Sequence, residues 1–112
     1  MKYYLVGIKG TGMSALAKIL YDCGNVVRGV DYSKRQFTEE FMHKEIVIDT
    51  FENIVLDDEW FYIIGNAFKL SEVFKIIKNR NFKYAFYPIF IEDFFKIKKI
   101  GISGTHGHLH SR

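Results

Sequence analysis

The sequence predicts an α/β fold, a parallel sheet of five or six strands with helices on both faces, and three observations carry the prediction. Short β-branched and aromatic runs alternate with segments of helical apolar spacing over residues 1–103. A glycine-rich turn joins the first such run to the first helical segment, as in a βαβ unit. The chain has 112 residues, 48% hydrophobic and 26% charged, which suits one compact domain and excludes a disordered, collagen-like or disulfide-stapled chain.

The elements follow in order. Residues 3–8 are a β-branched and aromatic run ending near glycine, as a buried strand should be, and Met13, Leu16, Ala17 and Leu20 then recur at helical spacing. Gly24 stands where a helix would end, and residues 26–31 resume an extended pattern. Residues 37–42 read as a short helix, with Thr38 as its cap, Glu39 and Glu40 at its positive end and Phe37 stapled onto Met42. Residues 46–48 and 60–64 are the third and fourth strands. Ser71 and Glu72 open a helix that turns Val73, Ile76 and Ile77 inward. Residues 83–87 form a fifth strand, Pro88 starts a helix carrying Phe90, Phe94 and Phe95, and residues 99–103 close the series as a sixth strand.

Composition also narrows the function. Sixteen Lys and Arg against thirteen Asp and Glu give a net charge of +3 with the basic residues scattered, which predicts solubility and no nucleic-acid partner. No apolar run approaches the roughly eighteen residues that span a bilayer, so no membrane partner is expected. The first residues lack a signal-peptide pattern and Cys23 is a lone cysteine, so the expected location is cytoplasmic. Cys23 shares a helix with Leu16 and Leu20 and reads as a small packed hydrophobe, not a nucleophile. The eleven Phe and seven Tyr read as core and interface material, and residues 75–80 as a solvated helix face.

The turn Gly7-Ile8-Lys9-Gly10-Thr11-Gly12-Met13-Ser14 lies where a Rossmann-like domain brings backbone amides and a helix N-terminus to a diphosphate. Asp31 follows Gly12 by nineteen residues, at the end of the second strand, where a carboxylate can accept from a ribose hydroxyl. In the register Gly7-x-Lys9-x-x-Gly12 the middle glycine of the dinucleotide fingerprint is a lysine, whereas Gly10-x-Gly12-x-x-Ala15 satisfies its looser form. Pattern alone therefore leaves a nucleotide site open beside a plain tight turn, with a regulatory module sensing NAD or another adenine nucleotide as one reading.

The run GIKGTGMSALAKIL, read with VRGVD, IIGNAF at residues 63–68 and ISGTHG at 102–107, resembles the N-terminal domain of the Mur ligases, the amino-acid-adding enzymes of peptidoglycan synthesis, and within them the L-alanine-adding branch. The resemblance spans residues 1–107, and its form with lysine at position 9 is similar to that of low-GC Gram-positive bacteria. It implies a Rossmann-like domain over residues 1–103 that binds the UDP part of UDP-N-acetylmuramate. By position, Gly10, Thr11, Gly12, Met13 and Ser14 would cradle the diphosphate, Asp31 would face the ribose or uracil, and Asn66 and Ala67 would line the nucleotide. Phe86 and Pro88 depart from the pattern, standing where the family carries basic or polar residues.

The resemblance also implies missing ligase domains in the same polypeptide, which in the family bind ATP, magnesium and the incoming amino acid. Residues 103–107 stand where the family's phosphate loop begins, but His108 and Leu109 follow in place of lysine and a hydroxyl residue. A largely neutral imidazole does not replace an ammonium group and leucine does not ligate magnesium. Residues 104–112 thus read as a phosphate-loop remnant and tail, with no catalytic residue, cofactor or metal expected in this chain. His106, His108 and His110 alternate, which invites a metal reading, against the plainer one of an unordered terminus.

Overall fold

The computed structural model describes residues 1–32 and 45–100, with side chains described through residue 96. The helix expected at 37–42, His43, and the segment 101–112 with its three histidines lie outside the described residues. The order is β1 Lys2–Val6, α1 Thr11–Asp22, β2 Val26–Val30, β3 Val47–Asp49, β4 Phe61–Ile64, a 3₁₀ turn Asn66–Phe68, α2 Glu72–Asn79, β5 Tyr84–Phe86 and α3 Tyr87–Ile100. The five strands form one sheet in the order β3-β2-β1-β4-β5, every pair parallel. This is the α/β, Rossmann-like sheet that the alternation predicts. Connections run outward from β1 in both directions, so the chain reverses its winding between β1 and β4 and leaves a crevice at their C-terminal ends.

Strand periodicity sorts the core into two layers. Tyr4, Val6, Tyr62 and Ile64 face one side, where Val73, Phe74 and Ile77 of α2 cover them. Leu5 and Ile63 face the other, against Met13, Leu16, Ala17 and Leu20 of α1 and the partly buried Phe90, Ile91 and Phe94 of α3. Helices therefore lie on both faces, and burial on both explains why the central strands read as unbroken apolar runs. Ser71 caps α2, its hydroxyl accepting from the Phe74 N–H at 3.2 Å.

Four expectations need correction. Ile76 is exposed, because Phe74 takes the inward position and packs on Tyr84 and Phe86 at 5.0 and 5.2 Å between ring centroids. Phe95 is likewise exposed, since Phe90, Ile91 and Phe94 fill the inward side of α3. Cys23 is exposed: α1 ends at Asp22, so Cys23 is its cap, turned off the buried stripe, and the chain reverses at Gly24 with φ +93°. Lys99 and Ile100 belong to α3 and not to a sixth strand, because nothing between Lys96 and Ile100 breaks a helix.

β2 and the outer strand β3 are tied to β1 by a polar cluster. Arg28 donates from Nε and Nη2 to the two oxygens of Asp49, each at 2.8 Å, and the buried Tyr4 hydroxyl donates to Asp49 Oδ2 at 2.6 Å. Burial pushes the Asp49 carboxyl up, but the hydrogen bonds from Arg28 and Tyr4 and the guanidinium charge outweigh it and hold the group below its ordinary range. The Tyr4 phenol is raised well above its usual value, by burial first and then by its bond to Asp49.

Candidate functional site

The turn between β1 and α1 is fixed from the side of β2. Gly7 and Ile8 donate their backbone N–H groups to the Val30 carbonyl at 2.8 and 3.2 Å, and Gly10 donates to the Gly7 carbonyl at 3.0 Å. The Lys9 N–H donates to Asp31 Oδ2 at 2.9 Å. Gly7 has φ +92°, a conformation L side chains rarely adopt, and a Cβ there would meet the Phe68 ring at 2.7 Å. The first glycine is thus required by the turn itself and by the aromatic packing beneath it. Phe68 in turn stacks on Phe51 at 5.6 Å and touches the exposed Tyr32 ring at 5.7 Å.

Beyond the turn the amides are differently employed. Gly10 is the extended residue before α1, and Ser14 donates its N–H to the Gly10 carbonyl at 2.8 Å, the first bond of the helix. Thr11, Gly12 and Met13 make no backbone hydrogen bond through their N–H groups to any described residue, no side chain caps the helix, and its first turn holds no acidic residue. Three amide donors and the positive end of α1 are therefore directed at the crevice. Thr11 and Gly12 are exposed, whereas Met13 and Ser14 are buried, and the Ser14 hydroxyl donates to the Thr11 carbonyl at 3.1 Å.

Asp31 is fully buried at the end of β2. Its Oδ2 accepts from Lys9 N–H and its Oδ1 from Tyr32 N–H at 2.8 Å, while Lys9 Nζ donates to the Tyr32 carbonyl at 3.2 Å. The structure brings Asp31 to the glycine turn, as the spacing predicts, with each carboxylate oxygen bonded to the main chain. Asn66 and Ala67 are exposed in the 3₁₀ turn after β4, across the crevice. The sequence-predicted residues after β1, β2 and β4 thus all stand at one edge of the sheet.

One residue at this edge escapes the motif reading. Tyr87 begins α3, directly after β5, and its hydroxyl stands over Gly12, so close that a Cβ on Gly12 would overlap it; ring carbon Cζ would lie 2.9 Å from that Cβ. A phenol oxygen thus occupies the space beside Gly12. Gly12 is small for a reason internal to the fold.

A cavity of about 650 Å³ lies elsewhere, between α3 and the strands, lined by Tyr3, Phe61, Phe82, Phe90 and Phe94 with Asp93. None of the glycine-turn residues borders it. Among the described residues no three metal-ligating side chains come together, and no helix is long and apolar enough to cross a membrane.

The UDP-N-acetylmuramate–L-alanine ligase of Lactobacillus acidophilus is 42% identical over 110 residues, covering 93% of this chain and 25% of the relative. The ligase of the same name from Lactobacillus helveticus is 41% identical over 93% of the chain and 25% of its own length, and that of Streptococcus pneumoniae is 36% identical over 94% and 24%. The chain therefore spans about a quarter of the length of the curated relatives it matches. No solved structure matches it significantly. The family profile described as Mur ligase family, catalytic domain, matches residues 2–87, which takes in the whole sheet and the glycine turn, and on that match the chain belongs to the Mur ligase family.

Proposed function

We propose that this chain is the substrate-binding domain of a UDP-N-acetylmuramate:L-alanine ligase, holding the UDP part of UDP-N-acetylmuramate at the crevice between β1 and β4. The observation that carries the reading is the set of three unspent amides of Thr11, Gly12 and Met13 at the start of α1, the donor arrangement a diphosphate needs. Gly10 shapes the entry to the helix, and the Ser14 hydroxyl adds a donor when it turns from the Thr11 carbonyl. Asn66 and Ala67 line the nucleotide from the far wall of the crevice.

Asp31 serves the site from beneath. Both of its oxygens accept main-chain N–H groups, so it sets the position of the turn beside which the ribose or uracil is proposed to lie. The domain comprises residues 1–103, and no ATP or magnesium role is assigned to residues 104–112, where His108 and Leu109 lack the required chemistry. The ligation chemistry belongs to the other three quarters of a full-length ligase, expected to act in the cytoplasm.

Calorimetric titration of the chain with UDP, UDP-N-acetylmuramate, NAD and ATP tests the reading. Binding of the two uridine compounds with neither adenine compound supports it. Binding of NAD alone overturns it in favour of a nucleotide-sensing module.

A further inference from the structure

We propose that Tyr87 completes the diphosphate site, its hydroxyl donating to a phosphate oxygen held at the amides of Thr11, Gly12 and Met13. The inference rests on the proposed UDP reading and extends it to β5, a strand from which the sequence motifs supply no ligand. In a doubly wound sheet the residue after each strand stands at the ligand edge. Tyr87 occupies that position after β5. From Ala85 to Ile91 it is the only side chain with a hydrogen-bonding group, its neighbours being Phe86, Pro88, Ile89 and Phe90.

Its placement is specific. The ring approaches the first turn of α1 with the hydroxyl leading: a Cβ on Gly12 would overlap Oη, meet Cζ at 2.9 Å and Cε2 at 3.5 Å. The ring packs on the same cluster that buries Met13 and Leu16, so its aim is set by the core. Among the described residues the hydroxyl has no hydrogen-bond partner, although Tyr3, Tyr4 and Tyr62 lie on the same sheet and the hydroxyls of Tyr4 and Tyr62 are bonded within the fold. A phenol is a neutral donor that binds a phosphate oxygen without bringing a charge of its own. It also brings a donor from the end of β5, so that an entering diphosphate is met from β1, β4 and β5 together.

The test compares the parent chain with Tyr87→Phe, which keeps the ring and its packing. Titrations with UDP and with inorganic pyrophosphate are expected to weaken by about tenfold to a hundredfold, the range for one hydrogen bond to a charged group, with an unchanged melting midpoint. A spectroscopic readout on the parent accompanies it: with ring-labelled tyrosine, the Tyr87 resonance is expected to shift on saturation with UDP. A parent that binds UDP while Tyr87→Phe binds it equally well or more tightly overturns the proposal alone, marking the hydroxyl as a bystander or a plug. An unshifted Tyr87 resonance at saturation does the same even if the variant fails to fold. A parent that binds neither UDP nor pyrophosphate overturns the UDP reading and this proposal with it.

Discussion

Replacing Asp31 by asparagine removes one acceptor at the point where the glycine turn is tied to β2. The carboxylate accepts from Lys9 N–H at 2.9 Å and from Tyr32 N–H at 2.8 Å, and the residue is fully buried. An asparagine carbonyl can keep one of these bonds, but its NH₂ then points at the other main-chain N–H, donor against donor. A hydrogen bond to a charged group is worth about 1.5–3 kcal/mol, and a buried donor left without a partner costs about 1–3 kcal/mol. Some relaxation of the turn will recover part of this, so a net loss of about 2–3 kcal/mol is expected. For a domain of this size that lowers the melting midpoint by roughly 8–15 °C.

Thermal and urea unfolding of Asp31→Asn without ligand measure the loss directly, and titrations with UDP and pyrophosphate locate its cause. If Asp31 acts by holding the turn, both ligands weaken by the same factor. A ribose contact would weaken UDP and spare pyrophosphate. A variant that melts within 1 °C of the parent would refute the anchoring argument outright.

Three further outcomes are expected. Gly12→Ala places a methyl group against the Tyr87 hydroxyl and should cost about 1–3 kcal/mol in urea unfolding, with a smaller cost in a Tyr87→Ala background; equal costs in both would show that the two residues do not meet. Because the folded fold holds the Asp49 carboxyl below its ordinary value of 3.8, its contribution to stability is full above that pH and is lost as pH falls through the lower folded value; Asp49→Asn should therefore flatten the acid limb of a stability profile, and an unchanged limb would assign it to other groups. The 112-residue chain mixed with UDP-N-acetylmuramate, L-alanine, magnesium and ATP should release no phosphate above a no-protein control, and sustained turnover by two separately purified batches would contradict the assignment of ligation to the rest of a longer protein.

β1 and β4 were legible because burial on both sheet faces makes them short apolar runs, and each of the five strands lies within two residues of its expected span at either end. Helix faces were read less well. Val73 and Ile77 define an inward direction, but Phe74 joins them, and at about 100° per residue this turns the centre of the buried face further from Ile76, to roughly 107° from it. Bulk decided which of two apolar neighbours went inside, and periodicity does not weigh bulk. The candidate site was legible where a backbone feature has a sequence signature, as at Gly7 and Gly12. Tyr87 carries no motif, yet a positional signal was available: it is the first residue after β5, and the rule that places ligands beyond strand C-termini applies to it as to Asp31.

The lysine in the glycine turn shows how the local structure resolves an apparent defect. A dinucleotide fingerprint in the register of Gly7 and Gly12 asks for glycine at position 9 so that the backbone can approach a pyrophosphate. Here position 9 faces the other way: its N–H is bonded to Asp31 Oδ2 and its ammonium group reaches the Tyr32 carbonyl, both beside the end of β2. A side chain at this position therefore takes no space from the crevice. The amides that remain available begin two residues later, at Thr11, where the turn has already become helix. Residues 7–10 spend their N–H groups on the fold and residues 11–13 present theirs outward, so the donors are held in place before any ligand arrives. Binding then orders no loop, and the conformational cost that weakens many anion sites is met during folding.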